Sequence, residues 1–265
     1  MSTMNRMVTR KWVVLAALGA FAGCTPPERV VLVHGAWMGA WALEPVADQL
    51  RQQGQKVSVV ELPTHGQDQT PVSGATLDAY VNKVGEAVDA EGQPVVLVGH
   101  SMAGMVISQY AERAPAKVKL LVYLAAYLPA NGQSLQDLAY TDADSHLGPA
   151  LVVDAEHGTG AIPQDKLQDV FCADCTAAEM TSIQSNYRDE PLAPIGTPVQ
   201  LSDAAWGSVP KAYVFTTGDH AVSYGLQQTM AAKVTLAGSE TLDTSHSPFL
   251  SAPSQVTGAV QRLIR

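Results

Sequence analysis

The chain has 265 residues, of which 46% are hydrophobic and 15% are charged, and its formal net charge is −9 at pH 7. This length suits one large α/β domain or two small ones, with enough apolar residues for a sizeable core. The acidic balance argues against a nucleic-acid partner, because no cluster of Lys and Arg is available to neutralise phosphates.

The start of the chain has the pattern of an export signal. Positive residues precede an apolar stretch at 12–22, which is too short to span a bilayer as a helix. The stretch ends at Cys24 and resembles a bacterial lipobox, although Phe21 stands where Leu is usual. We therefore predict a lipoprotein signal at residues 1–23, lipidation of Cys24 and a short tether at 24–29. An ordinary secretory signal and an uncleaved anchor remain alternatives.

Lipidation of Cys24 would attach the protein to a membrane without a spanning helix. The expected location is the bacterial cell envelope, on the outer membrane or facing the periplasm, with membrane contact only through the lipid.

Two further cysteines, Cys172 and Cys175, are separated by two residues. An exported protein meets an oxidising compartment, so a local disulfide is one interpretation and two free thiols are the other. The chain has no second Cys-x-x-Cys pair, which argues against zinc at this position. No metal and no organic cofactor are expected.

Predicted strands alternate with predicted helices along most of the chain. Such alternation predicts a mainly parallel six-stranded sheet flanked by helices, with right-handed crossovers. The predicted strands are 29–33, 57–60, 95–98, 118–124, 211–216 and 234–236. The predicted helices are 43–53, 76–90, 102–113, 222–232 and 253–264.

One long segment interrupts this alternation. Residues 129–208 are rich in Gly, Pro, Asp and Gln and show only weak helical patterns. We interpret them as a cap inserted over the active site. The core then consists of a first part at 30–128 and a second part at 209–265.

The strand at 95–98 leads into a sharp turn that exposes Ser101. The apolar run stops at Gly99, and small, helix-forming residues follow Ser101. A strand–serine–helix turn of this kind is a nucleophile elbow, which is typical of α/β-hydrolases. The strained serine crowds the positions two before and two after it, which Gly99 and Ala103 occupy. Ala103 departs from the usual glycine by one methyl group.

A serine nucleophile needs a base, and the base needs a group that orients it. In this fold the acid and the histidine follow the serine in the chain. His246 lies between the last predicted strand and the last helix, where loops that carry ligand chemistry collect. Asp219, just after the strand at 211–216, is the favoured acid, and Asp243 is the runner-up. Ser223 could cap the next helix in place of Asp219.

Several stretches together resemble the plant methylesterase and hydroxynitrile lyase family of α/β-hydrolases and its bacterial esterase relatives. The resemblance covers most of the chain from residue 30 onward and matches the cap only loosely. It rests on residues 31–37 with Trp41, on residues 99–104, on residues 213–219 and on His246.

This resemblance implies an α/β-hydrolase fold with an inserted cap. It also implies a catalytic triad of Ser101, Asp219 and His246. The backbone N–H groups of Ala36 and Met102 would then form the oxyanion hole.

The implied activity is that of a serine carboxylesterase, which acts on small aromatic or methyl esters through an acyl-enzyme. The lyases of this family carry a lysine directly after the catalytic histidine, whereas this chain has Ser247 there. This chain therefore lacks the positive charge that a hydroxynitrile lyase of this family uses. A hydroxynitrile lyase remains an alternative, as does a non-catalytic protein that binds a small ligand on the same fold.

Large apolar side chains near these motifs are candidates for a substrate pocket, and their alternative role is to pack the core or the cap. The candidates are Trp37, Met38, Trp41, Tyr127 and Phe249.

Overall fold

The computed structural model describes residues 27–265. Its strands are β1 (Arg29–Val33), β2 (Lys56–Val60), β3 (Val95–His100), β4 (Val118–Leu124), β5 (Val152–Asp154), β6 (Thr159–Ala161), β7 (Glu190–Pro191), β8 (Lys211–Thr216) and β9 (Gly238–Leu242). Its α-helices are α1 (Glu44–Gln52), α2 (Leu77–Glu91), α3 (Ala103–Arg113), α4 (Leu135–Ala139), α5 (Leu147–Ala150), α6 (Leu167–Phe171), α7 (Ala177–Asn186), α8 (Leu192–Gly196), α9 (Tyr224–Ala231), α10 (Pro248–Ser251) and α11 (Pro253–Leu263).

The main sheet has six strands in the order β2-β1-β3-β4-β8-β9, and every neighbouring pair is parallel. This confirms the predicted sheet. Strand β3 is buried along its whole length, because a parallel sheet is covered by helices on both faces. Helices α1 and α11 pack against each other, and so do α2 and α3.

The last strand is not where the sequence placed it. The prediction took residues 234–236 as the strand, whereas β9 spans Gly238–Leu242. Val234 and Leu236 are half-buried and pack against the core from the connection that follows α9. Strand β9 lies at the edge of the sheet, and its exposure alternates along the chain. A strand of that kind needs no continuous apolar run, so hydrophobicity alone chose the wrong residues.

The segment 129–208 contains short helices and a second, antiparallel sheet. The helices run from α4 to α8, and the sheet has the order β5-β6-β7. This segment thus departs from the strand–helix alternation of the rest of the chain. The exact division into core and cap stays a prediction.

The turn at Ser101 shows the crowding that its motif predicts. Ser101 has φ of 54°, in the left-handed region that non-glycine residues rarely adopt. A Cβ atom on Gly99 would lie 2.9 Å from the carbonyl oxygen of Ala103 and 2.9 Å from Cδ1 of Ile107. Only glycine therefore fits two residues before the serine, at position 99, while the Ala103 methyl group is fully buried in the packed core.

The predicted signal and Cys24 lie outside the described residues. Among residues 27–265, no helix is both long enough and apolar enough to cross a bilayer. Cys172 and Cys175 form a disulfide, which decides between the two alternatives left open by the sequence.

Candidate active site

Ser101, His246 and Asp219 form one hydrogen-bonded chain at the carboxyl ends of β3, β9 and β8, which belong to the same parallel sheet. His246 Nε2 lies 3.0 Å from Ser101 Oγ, and His246 Nδ1 lies 2.8 Å from Asp219 Oδ2. A carboxylate only accepts hydrogen bonds, so Nδ1 carries the ring proton. Nε2 is then left to accept the hydroxyl proton of Ser101. All three residues are at least nine-tenths buried.

The carboxylate of Asp219 is fixed by several donors besides His246. Its Oδ1 accepts from the backbone N–H groups of Ala221 and Val222, both at 2.8 Å. Its Oδ2 accepts from Thr216 Oγ1 at 2.9 Å and from Gln227 Nε2 at 3.1 Å. These bonds satisfy a buried charge and hold it in one orientation. The sequence analysis missed Gln227, which acts from α9, one turn inside the helix.

The other acid that the sequence offered does not face the histidine. Asp243 is exposed and accepts a hydrogen bond from Thr217 Oγ1 at 2.7 Å. The N-cap of α9 is Ser223, whose Oγ accepts from the Leu226 N–H at 3.1 Å. Asp219 is therefore free of the capping role and available to His246.

His100, which precedes Ser101, supports the base without adding charge. Its Nε2 lies 2.9 Å from the carbonyl oxygen of His246, and the two rings are 4.6 Å apart. Burial, together with repulsion from His246, holds the pKa of His100 well below its usual range. The ring is thus neutral, and its N–H helps to fix the backbone of the histidine loop.

A carboxylate from the disulfide turn also holds this loop. Asp174 lies between Cys172 and Cys175, and its Oδ2 accepts from the Ser245 N–H and from Ser251 Oγ, both at 3.1 Å. Ser245 and Ser251 flank His246 in sequence. The disulfide-closed turn therefore positions the loop of the histidine, a role that the sequence analysis did not assign.

Two backbone amides lie beside Ser101. Within the described residues, neither the Ala36 N–H nor the Met102 N–H donates to a protein acceptor, so both remain available to a substrate oxygen. A Cβ atom on Gly35 would lie 2.8 Å from Ser101 Cβ. Glycine thus allows the turn after β1 to approach the serine closely enough for the Ala36 amide to serve it.

The next amide in this turn is held by a buried ion pair. The Trp37 N–H donates to Oε2 of Glu190 at 2.8 Å, although Trp37 has a strained φ of 60°. His65 Nε2 lies 2.8 Å from the same oxygen, and His65 Nδ1 lies 2.9 Å from the Pro63 carbonyl. Both ring nitrogens face acceptors, so His65 carries two protons and a positive charge.

Electrostatics agree with this protonation state. Burial alone lowers the pKa of His65, but the charge and hydrogen bond of Glu190 outweigh it and raise the pKa above its usual value. The rings of His34 and Tyr80 lie 5.0 and 5.6 Å away. His34 is neutral, because burial lowers its pKa and its Nε2 accepts from the Leu62 N–H.

Glu190 was also missed by the sequence analysis. It is fully buried and lies in β7, 125 residues after His65 and 153 residues after Trp37. No local pattern marks such a residue, since its partners are distant in the chain.

A cavity of about 310 Å³ opens above Ser101. Its floor is formed by Ala36, Trp37, Ser101, Met102 and Tyr127, and residues of 129–208 form its walls. The walls are mainly apolar and include Leu135, Ala139, Leu147, Leu151, Leu192 and Ile195.

Three of the five candidate pocket residues do not line this cavity, which corrects the expectation for them. Trp37 and Tyr127 are part of its surface. Met38 is buried in the core, and Trp41 is a half-buried residue packed against the core. Phe249 packs edge-on against the His100 ring at 4.6 Å. Phe249 thus packs against the residue that precedes Ser101, while Met38 and Trp41 contribute to the packing of the core.

The buried pair of His65 and Glu190 predicts a pH dependence of stability. The pKa of His65 is raised in the folded state, so protonated His65 stabilises the fold. This stabilisation is complete at pH values below the ordinary pKa of histidine and is lost as the pH rises through the folded-state pKa. Glu190→Gln is expected to lower the free energy of unfolding by about 3 kcal/mol near neutral pH. In urea unfolding experiments, the difference in the free energy of unfolding between the native chain and Glu190→Gln is expected to become smaller as the pH rises from about 6 to about 9.

Glu112→Gln is the control, since Glu112 also accepts hydrogen bonds from backbone N–H groups, those of Ser202 and Trp206, but has no histidine partner within residues 27–265. Its stability difference from the native chain is expected to stay constant over this pH range. A difference for Glu190→Gln that is equally constant would show that His65 is not the cation of a pair.

Comparisons with known proteins agree with this geometry. Residues 30–259 match the model of the "Alpha/beta hydrolase family". A putative chloroplastic methylesterase 11 of Arabidopsis thaliana is 32% identical over 84% of this chain and 60% of its own length. The chain thus spans about three fifths of that relative. An α-hydroxynitrile lyase of the same plant is 30% identical over 72% of this chain and 79% of its own length.

Among solved structures, polyneuridine aldehyde esterase has the same fold. The TM-score is 0.81 at 21% identity, and the match covers 90% of this chain and 100% of that chain. The expected fold is thereby confirmed. From its matched residues, its sheet and its relatives, this chain belongs to the alpha/beta hydrolase family.

Proposed function

We propose that this protein is a serine carboxylesterase that hydrolyses small carboxylic esters through an acyl-enzyme intermediate. The observation that carries the proposal is the chain of Ser101, His246 and Asp219 beneath two available backbone amides at the floor of an apolar cavity. The esterase names of the plant relatives support it.

Acylation begins when Ser101 Oγ attacks the ester carbonyl carbon and His246 Nε2 takes the hydroxyl proton. The carbonyl oxygen becomes an oxyanion, to which the Ala36 and Met102 N–H groups donate. One such donor typically lowers the barrier by about 3 kcal/mol. Asp219 keeps His246 in the correct tautomer and stabilises the imidazolium that forms.

The tetrahedral intermediate collapses as His246 returns its proton to the alkoxy oxygen. The C–O bond breaks, the alcohol leaves, and the acyl group remains on Ser101. Water then gives a proton to His246 and attacks the acyl carbon, and the Ala36 and Met102 N–H groups again donate to the oxyanion that forms. Release of the carboxylic acid returns the proton to Ser101.

The cavity indicates the kind of ester. Its volume of about 310 Å³ and its apolar walls suit an uncharged acyl or alcohol group of modest size. Asp142 contributes a carboxylate to the same lining, which disfavours anionic substrates. The methylesterase relative and a carbendazim hydrolyzing esterase of Nocardioides, 43% identical over 41% of this chain and 46% of its own length, fit this substrate class.

The residue after His246 favours hydrolysis over cyanide chemistry. Ser247 is fully buried, and within the described residues its Oγ has no hydrogen-bond partner. It supplies no positive charge for a cyanide leaving group, which the lysine of the family's lyases provides. The available nucleophile and base likewise favour catalysis over ligand binding alone.

Ser101→Ala is expected to reduce hydrolysis of p-nitrophenyl acetate by at least about 10⁴-fold, because the nucleophile and the proton it gives to His246 are both lost. Labelling by a fluorophosphonate probe is expected to disappear in parallel. Ser182→Ala, an exposed serine on α7, is the matched control and is expected to react like the native protein.

Cyanide release from mandelonitrile without ester hydrolysis would instead identify a lyase. A native protein that is neither labelled nor active on a panel of esters, yet binds a small apolar ligand, would indicate a receptor.

Ala139→Phe tests the cavity as the acyl or alcohol pocket. The added ring fills space between the apolar walls, so kcat/KM for a bulky aromatic ester is expected to fall by roughly 10-fold or more. The acetate ester is expected to change much less. Ala178→Phe, at an exposed position on α7, is the matched control. Equal losses for large and small esters would contradict this pocket assignment.

We further propose that the protein is anchored to the bacterial cell envelope by lipid on Cys24. The charged and apolar segments before Cys24 support this location. The disulfide between Cys172 and Cys175 is compatible with an oxidising compartment.

The native chain, expressed in a bacterium, is expected to partition with membranes, and Cys24→Ser is expected to release it from the detergent phase. The lipid on Cys24 is the only expected attachment, which is the physical reason for the release. Cys172→Ser with Cys175→Ser is the control that should not change partitioning. A native protein found in the aqueous phase would contradict the anchor.

A further inference from the structure

Three side chains outside the proposed mechanism meet on one face of the molecule. Asp169 lies between His146 and His220, with Oδ2 3.0 Å from His146 Nδ1 and Oδ1 3.1 Å from His220 Nδ1. The two imidazole rings are 4.4 Å apart. Among residues 27–265, no other group of three His, Cys, Asp or Glu side chains converges closely enough to hold a metal ion.

The backbone holds this cluster together. Asp169 lies on α6, and His146 directly precedes α5. The His146 N–H donates to the His220 carbonyl at 2.8 Å, which fixes the two histidines relative to each other. The three side chains are therefore brought together by the fold and not only by attraction between their charges.

The spacing is close to that of ligands around one ion, since the ligand atoms of the three side chains all lie within 4.8 Å of one another. Zinc binds imidazole nitrogen at about 2.0–2.1 Å and carboxylate oxygen at about 2.0–2.2 Å, so neighbouring ligand atoms lie roughly 3 Å apart. The nitrogen–oxygen distances of 3.0 and 3.1 Å agree with this geometry. An ion could bind between the rings and the carboxylate with small side-chain movements.

The cluster is also open to solvent. The side chains of His146, Asp169 and His220 are 49%, 52% and 38% exposed, so an ion can enter and keep water ligands. A cleft beside His146 and Asp169 has room for these waters, and Lys166 lines it as the nearby cation. The excess of acidic residues in the chain favours cation binding at the surface.

We propose that His146, Asp169 and His220 bind one divalent transition-metal ion of the zinc, nickel or copper class, with water as the remaining ligands. Two imidazoles select this class over magnesium and calcium, which prefer oxygen ligands only. The bound ion would join the segment 129–208, through His146 and Asp169, to the loop of Asp219, through its neighbour His220.

This linkage predicts stabilisation of the folded chain. An ion that binds only the folded protein raises the midpoint of thermal unfolding in proportion to the logarithm of its concentration. The connected loop carries Asp219, so the ion would restrict the position of a residue in the proposed triad. The binding itself depends on none of the proposed chemistry.

Calorimetric titration of tag-free protein, first stripped with a chelator, with zinc chloride tests the site. We expect saturable binding of one zinc per chain, an upward shift of the unfolding midpoint, and no comparable response to magnesium chloride. His146→Ala and Asp169→Asn are each expected to weaken zinc binding by at least about 10-fold. Circular dichroism of the metal-free variants checks that they fold.

His157→Ala is the matched control, because His157 is an exposed histidine 2.7 Å from a single carboxylate, that of Asp154. It should leave zinc binding unchanged. Absence of saturable binding, or equal binding by the native protein and both cluster variants, would overturn the proposal. Ser101→Ala should bind zinc like the native chain, so a failed metal site and a failed esterase assignment give different results.

Discussion

The close approach of two backbones at Ser101 is the constraint on which the site depends. The serine is held at φ of 54°, and the turn after β1 lies so near that a side chain at Gly35 would collide with Ser101 Cβ. A side chain at Gly99 would likewise collide with the Ala103 carbonyl oxygen. This crowding brings the turn that carries the Ala36 amide against the turn that carries Ser101 and the Met102 amide.

The parallel sheet solves the second requirement, which is to bring distant residues to that point. Ser101, Asp219 and His246 each follow a strand, and the carboxyl ends of parallel strands share one edge of the sheet. This is why order in the chain and position after a strand pointed to these three residues, although the same criteria also allowed Asp243, which only its exposed position argues against. Each motif is local, and the fold alone supplies the long-range contact.

The parts that sequence reasoning missed are long-range contacts without a local motif. Gln227 holds Asp219, Asp174 holds the loop of His246, and Glu190 holds the turn after β1. No local sequence motif marks these roles. The position of edge strand β9 was predicted wrongly, because one face of the strand is exposed and the strand therefore lacks the apolar run on which the prediction relied. Met38, Trp41 and Phe249 were apolar and near the motifs, and the sequence could not distinguish packing behind the site from lining the cavity.

The charge beside the turn that follows β1 is as important as the shape of that turn. Glu190 is a fully buried carboxylate bound to the Trp37 N–H, one residue from the amide of Ala36. In the proposed mechanism, an unpaired anion there would oppose the negative charge that forms on the substrate oxygen, since low-polarity surroundings screen it weakly. The imidazolium of His65 cancels that charge and keeps the hydrogen bond to Trp37. The carboxylate of Glu190 can therefore hold this turn in place without adding net negative charge beside the proposed oxyanion site.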